Sequence, residues 1–142
     1  MRLWHKDLIP YLPRQQLLGQ WRECCLIAKN LQEKGTPNHI LVNRVKSYSI
    51  SHLWSYGMEV ASELIKRGYE VNENSFTKYF NNATLRRISH KDIFKKWHDN
   101  IYLTICYYNL LEKYYCGAVD KEEFGKFCDY CEDKINKYLY EN

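Results

Sequence analysis

The sequence predicts an all-α fold, a compact single-domain bundle of about four helices spanning residues 1–142. Apolar residues recur every three or four positions over several long stretches, the spacing of one buried helix face. Glycine follows three of these stretches, where a helix commonly ends. With 45% hydrophobic residues the chain can bury one core, and no repeat, linker or domain boundary interrupts it.

The first predicted helix begins at Leu12 and Pro13 and runs to about Lys34, with Gly35 as its stop. Proline is tolerated in the first helical turn, where its missing N–H loses no bond. Helical spacing predicts one buried stripe on this helix, made of Leu17, Leu18, Trp21, Cys24, Cys25, Ala28 and Leu31.

A loop is predicted at 35–50, because turn formers and β-branched residues stand there without helical periodicity. A second helix follows, capped by Ser49 or Ser51 and stopped at Gly68. Residues 72–89 are polar and predicted to be irregular; their basic pair Arg86 and Arg87 is either a DNA contact or simply solvated.

The third predicted helix runs from Ser89, with Asp92 as capping partner, to about Tyr115. Helical spacing predicts that the core-facing residues of this helix are Ile93, Trp97, Ile101, Ile105 and Tyr108. Asp120 and Glu123 cap a fourth helix. Its inward residues by spacing are Phe124, Phe127, Cys128, Cys131, Ile135 and Tyr138.

Composition narrows the class of protein. No apolar run approaches the roughly 18 residues of a membrane span, and the first residues lack a signal-peptide pattern, so we expect a cytoplasmic protein with reduced cysteines and no membrane partner. Residues 1–100 hold 16 Lys/Arg and 9 Asp/Glu, a net +7, whereas residues 101–142 hold 5 and 8, a net −3. A basic body interleaved with Trp and Tyr suits nucleic-acid binding, although a mildly basic protein without that function shows the same balance.

Several chemistries lack their motifs. Cys128 and Cys131 have the spacing of half a zinc site, but no second ligand pair matches and both fall on a predicted buried face, so we expect no metal. No Gly-rich phosphate loop, nucleotide fingerprint or Gly-x-Ser-x-Gly sequence occurs.

Glu23 falls nearly opposite the middle of the first helix's stripe, with Gly19 one turn before it. A mid-helix glycine costs on the order of 1 kcal/mol relative to alanine, so space for a ligand or for the chain terminus is one reason for it. The other interpretations are a solvated acid at Glu23 and close helix packing at Gly19.

Three segments together resemble the pyrimidine dimer DNA glycosylases of the phage endonuclease V type. They are Arg2-Leu3, the stretch 12–23 with Gln15, Leu17 and Arg22-Glu23, and Ala61-Ser-Glu-Leu-Ile-Lys-Arg-Gly-Tyr69. The likeness covers about residues 1–26 and 59–71, with weaker echoes at His39 and at 111–113.

The resemblance implies an α-helical, endonuclease V-like enzyme that acts on double-stranded DNA with an ultraviolet-damaged or abasic site. In that family the N-terminal α-amine attacks the sugar C1′, displaces the base and forms a Schiff base, and β-elimination then cuts the strand. Met1 takes the nucleophile's position and Glu23 that of the essential carboxylate. The expected DNA contacts are Arg2, Arg14, Arg22, His39 and Lys113. This chemistry needs no cofactor or metal, and we expect a monomer.

The chain departs from the family pattern at four places. Arg2 is too large for normal removal of Met1, Leu26 replaces a DNA-contacting arginine, Gln16 replaces a histidine, and Asn109 stands where a basic contact is expected. These changes favour an alternative, a non-catalytic nucleic-acid-binding protein on the same fold. The same amine chemistry on an alkylated base or on RNA is a further possibility.

Overall fold

The structure, a computed structural model, describes residues 2–33 and 39–141. Within those ranges there are helices and connecting segments but no strand, so the predicted all-α fold is confirmed. Six α-helices and two 3₁₀ helices are found there, rather than about four helices. The α-helices are α1 (Arg14–Gln32), α2 (Ile40–Lys46), α3 (Ile50–Lys66), α4 (Asn74–Thr77), α5 (Asn100–Tyr115) and α6 (Lys121–Glu141). The 3₁₀ helices are Lys6–Tyr11 and His90–Asp92.

Two helix pairs organise the packing. α1 packs on α3, with α2 and α4 beside them, and α5 packs on α6. The 3₁₀ helix Lys6–Tyr11 contacts both α3 and α6, so it joins the two pairs. One hydrophobic core runs through all of these elements, because burying each helix's apolar stripe is what stabilises it.

The first predicted helix is confirmed as α1. Pro13 is its N-cap residue, and the backbone N–H of Arg14 donates to the carboxylate of Glu123 on α6. Cys24 is fully buried and Cys25 half-buried, and all six thiols are free. The predicted stop at Gly35 lies outside the described residues.

The predicted loop at 35–50 is wrong over 40–46, where α2 forms. His39 caps this short helix, because its Nδ1 accepts the N–H of Leu41 at 3.2 Å. Leu41, Val42 and Val45 are buried against α1 and α3. Tertiary packing thus stabilises a helix of seven residues that is too short to be stable alone.

The third predicted helix begins eleven residues too early. Asp99 caps α5 by accepting the N–H of Tyr102 at 2.8 Å. The residues before it are irregular, with left-handed backbone at Phe94 (φ 50°) and Lys96 (φ 78°). This interruption shifts the helical phase, so three residues predicted to face the core are exposed and others replace them. The exposed residues are Ile101, Ile105 and Tyr108; the buried ones are Leu103, Cys106, Tyr107 and Leu110.

The ends of α3 and α6 match their sequence signals. Gly68 follows α3 with a left-handed φ of +94°, which glycine adopts without strain. Asp120 caps α6 by accepting the N–H groups of Glu122 and Glu123. Glu123 itself does not cap α6, because its carboxylate contacts α1 instead. No helix in the described part of the chain combines the length and apolarity that crossing a bilayer requires.

Candidate active site

The N-terminal segment (residues 2–5) and two helices enclose a polar cavity of about 350 Å³. Residues of α1 spaced by three or four positions line one side, because that spacing puts them on one helix face. These are Gln16, Gly19, Gln20 and Glu23. Arg2 and Trp4 line it from the N-terminal segment, and Asn109 and Lys113 from α5.

Two buried acceptors in this cavity lack hydrogen bonds. Glu23 is half-buried, and its Oε2 has no partner among residues 2–33 and 39–141. The same holds for Oε1 of Gln16. Leaving a buried acceptor unsatisfied costs about 1–3 kcal/mol. A cationic donor would suit the Glu23 carboxylate best, because charge-assisted hydrogen bonds are the stronger ones.

Gly19 keeps the approach to Glu23 open. Apart from the backbone of α1 and the adjacent residues, the only described atom within 4 Å of a Cβ placed there would be Nη2 of Arg22, at 3.9 Å. No side chain of another helix packs at this position, so close helix packing does not explain the glycine. The glycine faces the cavity, as expected if its missing side chain leaves room for a ligand.

The cavity brings together some of the predicted site residues. Arg2, Glu23 and Lys113 all line it. Arg22 is exposed and does not line the cavity, although its guanidinium lies near Gly19, which does. Arg14 is exposed outside the cavity, and His39 caps α2 away from it. Met1 lies outside the described residues.

A second surface cavity, of about 380 Å³, is lined by other residues of α1. Its lining combines aromatic and basic side chains: Trp21, Arg22, Cys25, Leu26, Lys29, Ser75 and Tyr79. Lys78 adds a cation 5.1 Å from the Tyr79 ring centroid. Aromatic faces with cations beside them are what single nucleotides stack on, so this surface extends the basic character of the site.

Cys24, Cys25 and Lys6, which do not line this cavity, are poorly suited as its nucleophiles. Burial raises the pKa of the Cys24 thiol well above its usual value and raises that of Cys25, so both stay neutral near pH 7. Burial also lowers the pKa of the Lys6 amine. That amine, however, donates to the carbonyls of Lys91 (2.7 Å) and Ile93 (2.8 Å), outside the cavity.

Sequence reasoning missed Gln20, which is 1% exposed and bonded to the N-terminal segment. Its signal was available: it stands three residues after buried Leu17 and four before buried Cys24, so it is a polar residue on the apolar helical phase. Trp4 is buried and also lines the cavity. No histidine, cysteine or acidic side chains gather as a metal-binding group of three or more in the described part of the chain.

Comparison with known proteins adds one finding. A family model described as pyrimidine dimer DNA glycosylase matches residues 1–77. This range ends with α4, and it includes the N-terminal segment and every α1 residue of the cavity. Asn109 and Lys113 lie beyond it. No curated protein and no solved structure matches the chain.

Proposed function

The chain belongs to the pyrimidine dimer DNA glycosylase family, and from this premise we propose that it is a DNA glycosylase and abasic-site lyase. Its substrate is double-stranded DNA with an ultraviolet-damaged or abasic site. The α-amine of Met1 is the nucleophile and Glu23 is the catalytic carboxylate. The proposal includes a single-domain cytoplasmic monomer, and the chemistry requires neither metal nor cofactor.

The observation that carries the proposal is the buried, unpartnered Oε2 of Glu23 in a cavity that Arg2 also lines. Arg2 is covalently bonded to Met1, so the residue next to the proposed nucleophile contributes to the cavity of the proposed carboxylate. An ammonium or iminium group in that cavity would supply the donor that Glu23 lacks.

The reactivity of the amine depends on the fraction of it that is neutral. An α-amine has a reference pKa of about 7.7–8.0, so a useful fraction is neutral near pH 7. Arg2 and Lys113, which line the cavity, disfavour a further positive charge there, whereas the Glu23 carboxylate favours one. The two cations thus oppose the effect of Glu23 and keep part of the amine in its nucleophilic form.

In the first step, the neutral amine forms a bond to C1′ of the damaged nucleotide. The bond from C1′ to the base breaks, and its electron pair leaves with the base, which takes up a proton. The C1′–O4′ bond then opens as the nitrogen lone pair forms the C=N bond; its electron pair stays on O4′, which takes up a proton, and loss of the proton from nitrogen gives the Schiff base. Glu23 stabilises the positive charge on C1′ and on the iminium, and it carries protons between these groups.

In the second step, a general base removes a proton from C2′. The C3′–O bond breaks, and its electron pair goes to the leaving 3′ phosphate. Water hydrolyses the remaining imine and frees the amine. Reaching C1′ inside a duplex requires local distortion or nucleotide flipping. Arg2, Arg22 and Lys113 hold phosphates at the cavity mouth, and Arg14 and His39 contact DNA further away.

Borohydride trapping on a duplex with one abasic site tests the proposal. Wild-type protein with a free N-terminus should give a covalent adduct that maps to Met1, and N-terminal acetylation should abolish it. Glu23→Gln should slow trapping by roughly 100- to 10,000-fold, the usual range for a lost acid–base group, with DNA affinity retained. Glu70→Gln, at an exposed position outside the cavity, is the matched control.

Lys113 is the rival amine, since it lines the same cavity. An adduct that maps to Lys113, and that Lys113→Met abolishes, would assign the nucleophile to α5 instead. Binding of abasic DNA by wild type without any adduct or strand cut would refute the lyase and leave the non-catalytic binding protein.

A further inference from the structure

Side chains, rather than a sheet, hold the backbone of the N-terminal segment. Oε1 of Gln20 accepts the N–H of Trp4 at 2.6 Å, and Nε2 of Gln20 donates to the carbonyl of Arg2 at 2.9 Å. The hydroxyl of Tyr56 on α3 lies 2.6 Å from the carbonyl of Trp4 and 2.8 Å from Oε1 of Gln20. One amide and one hydroxyl thus bind three backbone groups of residues 2–4.

This network needs the particular chemistry of an amide. Gln20 acts at once as donor to Arg2 and as acceptor from Trp4, which neither a hydrocarbon nor a carboxylate can do. Tyr56 has a single hydroxyl proton, which lies between two acceptors. Burial raises the pKa of Tyr56 well above its usual value, so the hydroxyl remains a donor at any ordinary pH.

The packing of α1 alone does not call for a polar residue at position 20. Gln20 is 1% exposed, and Leu17 and Cys24 flank it on the same apolar phase of α1, so an apolar residue at this position would extend the core stripe. The partners of Gln20 are backbone groups of Arg2 and Trp4, which no substitution removes. An apolar residue would leave them unbonded, at a cost of about 1–3 kcal/mol for each that stays buried. The amide therefore serves the N-terminal segment rather than the packing of α1.

Gln20 and Glu23 are one turn apart on the same helix, and a helix is rigid over one turn. The backbone positions of Gln20 and Glu23 therefore keep a constant separation. Gln20 fixes Arg2 and Trp4, and Glu23 lines the cavity. We propose that Gln20, supported by Tyr56, is a positioning residue that holds the start of the chain so that its α-amine meets C1′ beside Glu23. This inference rests on the proposed function and adds the device that places the nucleophile.

The test compares trapping rate with DNA affinity for Gln20→Met, which keeps the side chain's length but removes its hydrogen bonds. At saturating abasic DNA, trapping should slow about 100-fold, since a misplacement of about 1 Å has that effect on a reacting group. The Kd for the same DNA should stay within about twofold, because the basic side chains remain. Gln32→Met, an exposed glutamine at the far end of α1, is the matched control and should react like wild type.

A diffusible amine separates positioning from general damage. Methylamine added to Gln20→Met should restore protein-dependent strand cleavage, because it supplies a nucleophile that needs no tether while Glu23 is intact. It should not restore cleavage in Gln20→Met combined with Glu23→Gln. Tyr56→Phe, which keeps the ring and removes one hydroxyl, should slow trapping by about tenfold and carries the test if Gln20→Met does not fold.

The outcomes distinguish the two proposals. No adduct with wild type refutes the proposed function itself. Wild-type trapping rates in folded Gln20→Met or in Tyr56→Phe overturn the positioning role while leaving the lyase intact. A fall in DNA affinity that accounts for the whole loss of rate, or a failure of methylamine to rescue, also overturns it.

Discussion

The N-terminal region, residues 2–77, and the helix pair α5–α6 differ in the polar groups that they bury. Six polar or charged side chains are buried in the part of the chain that the structure describes, and all but His98 lie within residues 2–77. Exposed apolar side chains occur in both regions, with Ile40 at 86% and Ile101 at 60% exposure, so the difference lies in the polar groups. Burying polar groups is unfavourable unless they are bonded, so their concentration in one region marks where function constrains the sequence.

Charge also divides the chain, with the boundary further along at about residue 100. Residues 1–100 carry a net +7 and residues 101–142 a net −3. An acidic helix pair repels phosphates, so DNA should approach from the basic side. Lys113 is an exception, because it projects from α5 into the cavity lined by α1. The acidic pair thus supports the N-terminal region and contributes one cation to it.

Two glycines give the largest test of whether the N-terminal region and α5–α6 are packed differently. A Cβ at Gly57 on α3 would overlap the ring of buried Phe76, whereas a Cβ at Gly125 on α6 would meet no described neighbour within 4 Å. Overpacking costs about 1–3 kcal/mol, so we expect Gly57→Ala to lower the free energy of unfolding by about 2 kcal/mol. Gly125→Ala should raise it by about 0.5–1 kcal/mol, since alanine is the better helix former. Urea unfolding measures both; equal effects at the two positions would show that the regions are packed alike.

The sequence was most informative where local rules decide the structure. Helical spacing put Gly19 and Glu23 on one face of α1, and Gly68 and Asp120 marked helix ends correctly. The resemblance added Arg2 and Lys113, which the structure brings into the same cavity as Glu23.

Local rules failed where distant contacts decide the structure. The bond between Tyr56 and Gln20 joins residues 36 positions apart, which no spacing rule reveals. Positive φ values at Phe94 and Lys96 break the helical phase before α5, and neither residue type signals such a conformation. The prediction continued one helical period through that break, and it therefore assigned the wrong face of α5 to the core.

Lys113 gives the next test, of intermediate size. If Lys113 contributes a cation from α5–α6 to the DNA site, Lys113→Met should weaken binding of an abasic duplex by roughly three- to tenfold. The slope of log K against the logarithm of salt concentration should also fall by about one, the value for one phosphate contact. Lys126→Met, an exposed lysine of α6 outside the cavity, should change neither quantity by as much as twofold. Fluorescence anisotropy over a salt series measures both, and indistinguishable slopes for the two variants would place the DNA elsewhere.

The smallest effect concerns an ionic contact within the N-terminal side of the molecule. His90 donates Nε2–H to Asp7 at 2.6 Å and Nδ1–H to Glu59 at 2.9 Å, so it links the 3₁₀ helix Lys6–Tyr11 to α3 when protonated. Burial lowers the pKa of His90, but the hydrogen bonds to Asp7 and Glu59 outweigh it, and the folded-state pKa is raised above 6.5.

A group whose pKa is raised in the folded state stabilises the fold fully when the pH is below its unfolded-state pKa. This stabilisation is lost as the pH rises through the folded-state pKa. His90→Gln should therefore lower the free energy of unfolding at about pH 5.5 and have little effect near pH 9. Because the His90 side chain is 47% exposed, solvent screening keeps the difference below about 1 kcal/mol. Urea unfolding at the two pH values measures it, and introducing Asp7→Asn first should shrink it. An equal loss at both pH values would mean that His90 contributes by packing, and that the ionic link adds nothing to the stability of the N-terminal region.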